Sequence, residues 1–206
     1  MSYDPPRPAG RLLLTPEDKE APARTRRLRR LGLGERPEPT LDAFAYGLAE
    51  LTGAAYAMVN FLREDGQFFA GLHAPAVAPV VRGDGTGALL GRALPRDHGF
   101  CPHVVARRKA LALGDVSDYP RFAGNPVVDE FGVRSYLGAP LIDSTGMVLG
   151  TVSVSDIQPR AWGQAGLASI KEQAAGLVVR LERLERLENL EHLAHLEHGE
   201  IDGPSW

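Results

Sequence analysis

The sequence predicts an α+β protein in which helices flank an antiparallel sheet. Two pairs of apolar segments are each joined by a short glycine-containing turn, which is typical of β-hairpins. Apolar residues recur at helical spacing before the first pair and after the second. The 206 residues are 44% hydrophobic and 24% charged, enough for one sizeable core. Fibrous and wholly disordered architectures are therefore excluded.

Charge, hydropathy and cysteine content predict where the protein is located and which partners it lacks. The formal net charge of −3 provides no basic field to attract nucleic acid. No apolar run is long enough to cross a membrane, and the proline-rich residues 1–10 lack the apolar core of a secretion signal. Cys101 is the single cysteine, which excludes an internal disulfide framework. We therefore expect a cytoplasmic protein with no membrane or nucleic-acid partner, and the excess of arginine over lysine is typical of a GC-rich bacterial genome.

Residues 1–39 are rich in proline and basic side chains and lack apolar periodicity, which predicts a disordered arm. Such a basic run is suited to contact phosphate groups or an acidic partner, although a solvated helix start or linker is the more ordinary interpretation. The crowded arginines are Arg24, Arg26, Arg27, Arg29 and Arg30.

A helix, a hairpin and a long loop follow the arm. Thr40 is predicted to cap a helix whose apolar residues recur every three or four positions up to Thr52. Residues 55–62 and 67–72 flank an Asp-Gly turn and predict a hairpin. Residues 74–97 are rich in Ala, Gly and Pro and supply neither helical nor strand periodicity, which predicts a long loop suited to act as a lid.

We place the domain core at residues 40–162. Its second half, like its first, contains a helix followed by strands. Residues 101–108 predict a short helix and 111–113 a short strand. Residues 136–142 and 147–155 flank a turn and predict a second hairpin. Valines alternate with Thr and Ser in the last of these strands, so one face is apolar and the other is small and polar. The small, polar face leaves room for a ligand.

Residues 163–198 predict one long helix that completes the domain and extends as a coiled coil, followed by a tail at 199–206. Apolar residues spaced alternately by three and four form a heptad seam, which predicts a homodimer. After Leu184 the leucines recur every three residues and drift around the helix, which predicts a softer segment or a surface for another partner. The seam consists of Leu167, Ile170, Ala174, Leu177, Leu181 and Leu184.

Taken in order, several short motifs resemble the GAF domain, a small-molecule sensory and dimerisation module of bacterial signalling. The resemblance spans about residues 40–180. It implies an antiparallel sheet with the first and last helices on one face and with short helices and loops enclosing a pocket on the other. The motifs are Phe100-Cys101-Pro102-His103 after Pro95-Arg96-Asp97, Asp118-Tyr119-Pro120-Arg121-Phe122, Asn125-Pro126, Arg134-Ser135-Tyr136-Leu137-Gly138-Ala139-Pro140-Leu141 and Leu149-Gly150-Thr151-Val152-Ser153-Val154-Ser155-Asp156.

The resemblance, together with strand alternation, predicts where a ligand would bind. Cys101 is also the redox candidate, because a position near a helix N-terminus favours the thiolate form. No catalytic residue is predicted. The predicted ligand-binding residues are Phe100, Cys101, His103, Asp115, Phe122, Tyr136 and Ser153.

Two clusters contain metal-ligating residue types, but we predict no metal site. The first cluster supplies four potential zinc ligands within seven residues. Two of them, Cys101 and His103, point to different sides of a helix, so helix capping and pocket lining are their more ordinary roles. The second consists of three histidines near the end of the last helix, where a solvated helix end is the ordinary interpretation. The clusters are Asp97, His98, Cys101 and His103, and His192, His195 and His198.

The cofactor remains unknown at this stage. Bilin attachment in the phytochrome-like branch of the family needs a cysteine, and residues 125–133 contain none. Haem needs an axial ligand; His73 and His103 are candidates, although an ordinary packed or surface role explains either residue. The Asn-Lys-Phe-Asp type of signature associated with cyclic nucleotides is absent, which leaves such ligands unsupported but open.

These observations predict a non-catalytic cytoplasmic sensor that binds a small ligand or senses redox state. It would dimerise and pass its signal through the C-terminal helix to a separate partner protein. One alternative is a ligand-free dimerisation or scaffold protein, whose partner binding would be lost on deletion of residues 185–206. Another is a redox enzyme acting through Cys101; the methionine sulfoxide reductase branch of the family, however, resembles a relay that needs a second thiol, which this chain lacks.

Overall fold

A computed structural model describes residues 15–78 and 87–199, with the side chains of Glu188 and of residues 192–199 left undescribed. The start of the predicted arm, residues 79–86 of the predicted loop and the predicted tail from residue 200 onward lie outside the described part. The strands are β1 (Tyr56–Leu62), β2 (Gln67–His73), β3 (Ala93–Leu94), β4 (Leu111–Leu113), β5 (Ser135–Ile142) and β6 (Val148–Asp156). The helices are α1 (Ala21–Arg30), α2 (Pro39–Thr52), α3 (Cys101–Arg107), α4 (Pro120–Ala123), α5 (Pro126–Phe131) and α6 (Gly163–Gly199), with a 3-10 turn at Val116–Asp118.

The six strands form one antiparallel sheet in the order β3-β2-β1-β6-β5-β4, which confirms the predicted fold class. Both predicted hairpins are present, β1 with β2 and β5 with β6, and β1 pairs with β6 at the centre of the sheet. Because successive side chains of a strand point to opposite faces, Val152 and Val154 enter one core while Thr151 and Ser153 face the other side. The sheet therefore has an apolar face and a more polar face.

α2 and α6 cover the apolar face, which we call the helix face. Ile170, Ala174 and Leu177 of α6 are 1–3% exposed and pack with Leu48 of α2 and Val152 of β6. Burial of this apolar surface is the main contribution that holds the two long helices to the sheet.

The predicted interface between two chains is wrong for the heptad seam as far as Leu181. Ile170, Ala174, Leu177 and Leu181 are buried in the core on the protein's own sheet, and the partly buried Leu167 packs against that core, so the seam is not available to a second chain. A three-and-four spacing defines an apolar stripe but does not distinguish a partner helix from a sheet beneath it. Beyond this point, Leu184, Leu187 and Leu190 are 47–62% exposed. Dimerisation itself stays a prediction.

The prediction of a disordered arm is wrong for residues 15–39, because α1 folds onto the domain. Leu28 is fully buried, and so is Arg24, which also contradicts the interpretation of the arginine run as purely solvated. Arg24 Nε donates to the carbonyl of Leu62 at 2.8 Å, and Nη1 donates to that of Val148 at 3.3 Å. A short helix anchored by a buried guanidinium gives no apolar periodicity, so hydropathy did not reveal it.

Two smaller sequence predictions are corrected. α2 begins at Pro39 after Glu38, so Thr40 lies within the first turn and is not the cap; proline fixes a backbone angle that suits the first helical position. The segment predicted as a long loop contains β3, which extends the sheet beside β2. None of the described helices is long and apolar enough to span a membrane.

Candidate functional site

A cavity of about 40 Å³ lies on the second face of the sheet, which we call the cavity face. Strand residues form its floor, and the beginning of α3, the surroundings of α5 and residues 87–98 form its walls. Among the described residues, no lysine, arginine, aspartate, glutamate or histidine lines it. The floor consists of Tyr56, Met58, Phe69, Tyr136 and Ser155, and the walls of Leu90, Leu94, Gly99, Phe100, Cys101, Val127, Phe131 and Val133.

Asn125 fixes the wall at the start of α3. Its side-chain oxygen accepts from the backbone N–H of Gly99 at 2.8 Å, and its side-chain nitrogen donates to the carbonyl of Gly99 at 2.9 Å. The same oxygen accepts from the N–H of Val127 and caps α5. Gly99 has a φ of +75°, a conformation that glycine adopts without strain. One amide therefore joins the two helices that enclose the cavity.

Gln67 holds the segment that precedes α3. Its side-chain nitrogen donates to the carbonyls of Pro95 and His98, at 2.8 and 2.7 Å. Its side-chain oxygen accepts from Asn60 Nδ2 at 2.8 Å. Because Gln67 and Asn60 belong to β2 and β1, these bonds attach the cavity wall directly to the sheet.

Cys101 and Tyr136 meet at the cavity. Cys101 Sγ lies 3.5 Å from the hydroxyl of Tyr136 and 3.8 Å from Ser153 Oγ, and all three side chains are buried. Burial, and then the neighbouring Cys101, raise the pKa of Tyr136 well above its ordinary value, so the phenol is neutral. The structure thus brings together three predicted site residues, with Ser153 behind the cavity lining. Their contact with a ligand stays a prediction.

Three predicted aromatic residues form a packed cluster beside the cavity. Phe100 lines the cavity and packs edge-on against Phe122, with ring centroids 5.6 Å apart. The His103 ring packs edge-on against Phe122, with ring centroids 4.9 Å apart, and its buried Nδ1 has no hydrogen-bond partner among the described residues. Burial first, and then the charges of Arg121 and Arg107, lower the pKa of His103 to about 4. Phe122 and His103 therefore support the wall and are not part of the cavity lining.

The structure contradicts the placement of Asp115 in the cavity. Its carboxylate pairs with Arg134, whose Nε donates to Oδ1 at 3.1 Å, and it accepts from the N–H of Ser117. The guanidinium of Arg134 holds the pKa of Asp115 at about 2. Asp115 caps the 3-10 turn, which is an ordinary structural role for aspartate.

Two further polar groups of the cavity face are buried without partners. Asn60 and Thr151 are register partners on the central strands, and both are fully buried. Asn60 Oδ1 and Thr151 Oγ1 have no hydrogen-bond partner within the described protein. A buried polar atom without a partner lowers stability, so this face is less optimised for stability than the helix face.

The structure separates the residues of the first cluster of metal-ligating types, at which no metal site was predicted. His98 Nδ1 lies 2.9 Å from Asp97 Oδ1, whereas Cys101 faces Tyr136 and His103 faces the aromatic cluster. In the described part of the chain, no group of three or more His, Cys, Asp and Glu side chains could hold a metal ion. The side chains of His192, His195 and His198 lie outside the description.

Sequence reasoning missed most of the cavity lining. Tyr56 and Met58 alternate along β1 and could have been found from strand periodicity once the polar face of β6 was identified. Val127, Phe131 and Val133 reach the cavity because α5 folds back over the sheet, and no spacing rule reveals such a contact.

A comparison with protein families supports these findings. The model described as "GAF domain" matches residues 36–180. Among curated proteins, a cyclic di-GMP phosphodiesterase of Pseudomonas aeruginosa is 37% identical over 70 residues. That match covers 34% of this chain and 12% of the relative, so this chain matches only a small part of that protein.

Several solved structures share the fold. The blue-light absorbing form of the PixJ GAF domain of Thermosynechococcus elongatus has a TM-score of 0.58 at 18% identity, covering 82% of this chain and 94% of that one. The GAF domain of the Acinetobacter phosphoenolpyruvate-protein phosphotransferase has a TM-score of 0.53 at 17% identity, with coverages of 81% and 96%. The free methionine-R-sulfoxide reductase of Neisseria meningitidis, solved with its substrate, has a TM-score of 0.54 at 19% identity, with coverages of 69% and 75%. At these identities the likeness concerns the fold alone.

Proposed function

The chain belongs to the GAF domain family, and on this premise we propose that it is a non-catalytic signalling sensor. It binds a small uncharged ligand in the cavity and passes the change through α6 to a separate partner protein. The observation that carries this proposal is the position of the cavity, which lies between the sheet and α3, on the face opposite to α6. A ligand that prefers one conformation of the cavity shifts the population toward it.

The cavity lining favours a small, largely apolar ligand. A charged ligand would lose its hydration without gaining an ion pair, because the described residues that line the cavity carry no charged side chain. The cavity of about 40 Å³ is also far below the roughly 150 Å³ of an apolar cavity that holds benzene. A larger ligand must therefore displace a wall, and residues 87–98 are the weakest one, since β3 contributes only two residues to the sheet.

We further propose that α6 provides the contact between two copies of the chain beyond Leu181. Leu184 and Leu190 are exposed by more than half, and Leu187 between them is 47% exposed, where α6 leaves the sheet. Burying such side chains against a second helix contributes about 1.5–3 kcal/mol for each one that becomes fully buried. This proposed contact between two chains takes the place of the predicted heptad seam, which packs on the protein's own sheet.

Native mass spectrometry of the purified protein, followed by xenon binding measured by NMR, tests the sensor proposal. We expect a dimer in which xenon shifts the resonances of cavity-lining methyl groups, for example that of Met58. A Val133→Phe variant, which fills the cavity, should lose this shift, whereas Val179→Phe on the exposed face of α6 should keep it. Tight binding of cyclic di-GMP, or unchanged xenon binding by Val133→Phe, would contradict the proposed ligand class.

The position of Cys101 supports a second candidate, oxidation by a small uncharged peroxide. The thiolate would attack one peroxide oxygen, forming the S–O bond of a sulfenic acid, while the O–O bond breaks and the other oxygen leaves as water after protonation. Cys101 lines the cavity, which gives such an oxidant a place to bind. Peroxide should then add one oxygen atom to the intact mass of the wild type and none to Cys101→Ser. If the wild type instead consumed peroxide catalytically and Cys101→Ser did not, the result would favour an enzyme.

A further inference from the structure

α1 lies outside residues 36–180, the part that matches the family, and it sits where the two faces of the sheet meet. Its buried Arg24 contacts the last residue of β1, Leu62, and the first residue of β6, Val148. The cavity lies on one face of these strands and α6 on the other. α1 is therefore positioned to contact both sides around the end of the sheet.

On the cavity side, Asp18 connects α1 to the cavity wall. Its Oδ2 pairs with Arg24 and also accepts from Arg96 Nη2 at 2.6 Å. Arg96 follows Leu94, a wall residue, by two positions, and its Nη1 donates to the carbonyl of Arg63 at 2.9 Å. The guanidinium of Arg24 is fully buried and needs a carboxylate partner, so Asp18 cannot move without uncovering a buried charge.

A second contact joins the start of α1 to the other end of α3. Arg108, which follows α3, lies 3.2 Å from the carboxylate of Glu20. Its Nη2 also donates to the carbonyl of Gly146 at 2.6 Å. Both side chains of the ion pair are substantially exposed, so this pair contributes less than the buried one. Together the two contacts hold the segment that carries Cys101 from both ends.

On the opposite side, Arg27 connects α1 to α6. Its Nη2 donates to Glu185 Oε2 at 2.8 Å, and Nη1 pairs with the other carboxylate oxygen, which makes the contact bidentate. Its Nε donates at 3.1 Å to Asp143 in the turn between β5 and β6. Arg27 follows Arg24 by three positions, so both side chains lie on neighbouring positions of one helix face. Glu185 lies just where α6 begins to expose its leucines.

We propose that α1 couples the cavity wall, residues 94–101, to α6 at Glu185. Displacement of the wall changes the pairing of Arg96 with Asp18, shifts α1 and weakens the hold of Arg27 on α6. This coupling rests on the proposed sensor function and supplies its route around the sheet. Thermodynamic coupling is reciprocal, so releasing α6 from α1 also increases opening of the wall.

The reaction of Cys101 with dithiodipyridine, an uncharged aromatic disulfide, tests the reciprocal effect without any ligand. Cys101 is the single cysteine and is 5% exposed, so its reaction rate reports wall opening. Arg27→Gln and Glu185→Gln cut the contact from its two sides. We expect each to raise the rate about tenfold. Arg29→Gln is the matched control, because Arg29 lies on the same helix and its exposed side chain pairs with the exposed Glu35 at 3.7 Å. The reaction rate of this variant should stay within about twofold of wild type.

A second measurement separates coupling from simple anchoring. If hydrogen exchange around Glu185 rises in Arg27→Gln while the Cys101 rate matches that of Arg29→Gln, α1 only anchors α6 and the proposal is overturned. Melting temperatures identify any variant that fails to fold. If Arg27→Gln fails to fold, the Cys101 reaction rate of Glu185→Gln, which changes no residue of α1, decides between coupling and anchoring. If a ligand is found and shifts α6 equally in wild type and in Arg27→Gln, the coupling fails alone; if no ligand is found but the rates change as expected, the sensor proposal fails alone.

Discussion

The two faces of the sheet use the same strands for different purposes. On the helix face, Val152 and Val154 pack with the apolar stripes of α2 and α6. On the cavity face, Thr151 and Ser153 from the same strand lie among buried polar atoms, two of which lack partners, and beside a cavity. The alternation of apolar and polar side chains along β6 thus gives the sheet one face that stabilises the fold and another face that is less stabilising and borders the cavity.

Truncation of one large side chain on each face should give the largest difference. Ile170→Ala on the helix face should lower the free energy of unfolding by about 4 kcal/mol, because a densely packed site cannot collapse around the new void. Met58→Ala on the cavity face should cost only about 2 kcal/mol, because Met58 already borders an empty space. Urea denaturation measures both values. Equal losses would show that the cavity face is as tightly packed as the helix face.

The pH dependence of stability should come largely from the cavity face through His103. Its pKa of about 4 in the folded protein lies below the ordinary 6.5, so the unfolded chain takes up a proton first as the pH falls. The free energy of unfolding should therefore be unaffected by this group above pH 6.5 and fall by about 3 kcal/mol as the pH decreases to 4.

Replacement of the imidazole checks that assignment. Urea denaturation between pH 8 and pH 4 should show a shallower decline for His103→Gln than for wild type. The values at pH 8, where both side chains are neutral, serve as the control for the loss of packing. A decline of the same steepness in both proteins would show that another group titrates.

The smallest expected effect concerns the unpartnered hydroxyl of Thr151. Thr151→Val keeps the shape of the side chain and removes a buried polar atom, so it should raise the free energy of unfolding by about 1 kcal/mol. The matched variant Ser153→Ala removes a hydroxyl that lies 3.8 Å from Cys101 Sγ and should not stabilise. A loss of stability in Thr151→Val, measured by urea denaturation, would mean that a buried water or ligand satisfies this hydroxyl.

Most of the fold could be predicted because local patterns report it directly. Strand alternation predicted both hairpins and the two-sided character of β6, and apolar spacing predicted α2 and α6. Of the cavity lining, the residues that were predicted are those that belong to a motif, namely Phe100, Cys101 and Tyr136. Asp115 also belongs to a motif, but it serves an ion pair with Arg134, which a family resemblance does not distinguish from a binding role.

The sequence by itself determined the order of elements, the fold class and which face of β6 is polar, since these depend on periodicities of two and 3.6 residues. The tertiary structure alone decided what covers each face. It placed the seam of α6 on the protein's own sheet, and it folded α1 through the buried Arg24, which donates to the carbonyls of Leu62 and Val148, both distant in the sequence. Contacts between residues distant in the chain leave no local periodicity, and for that reason only the assembled molecule reveals them.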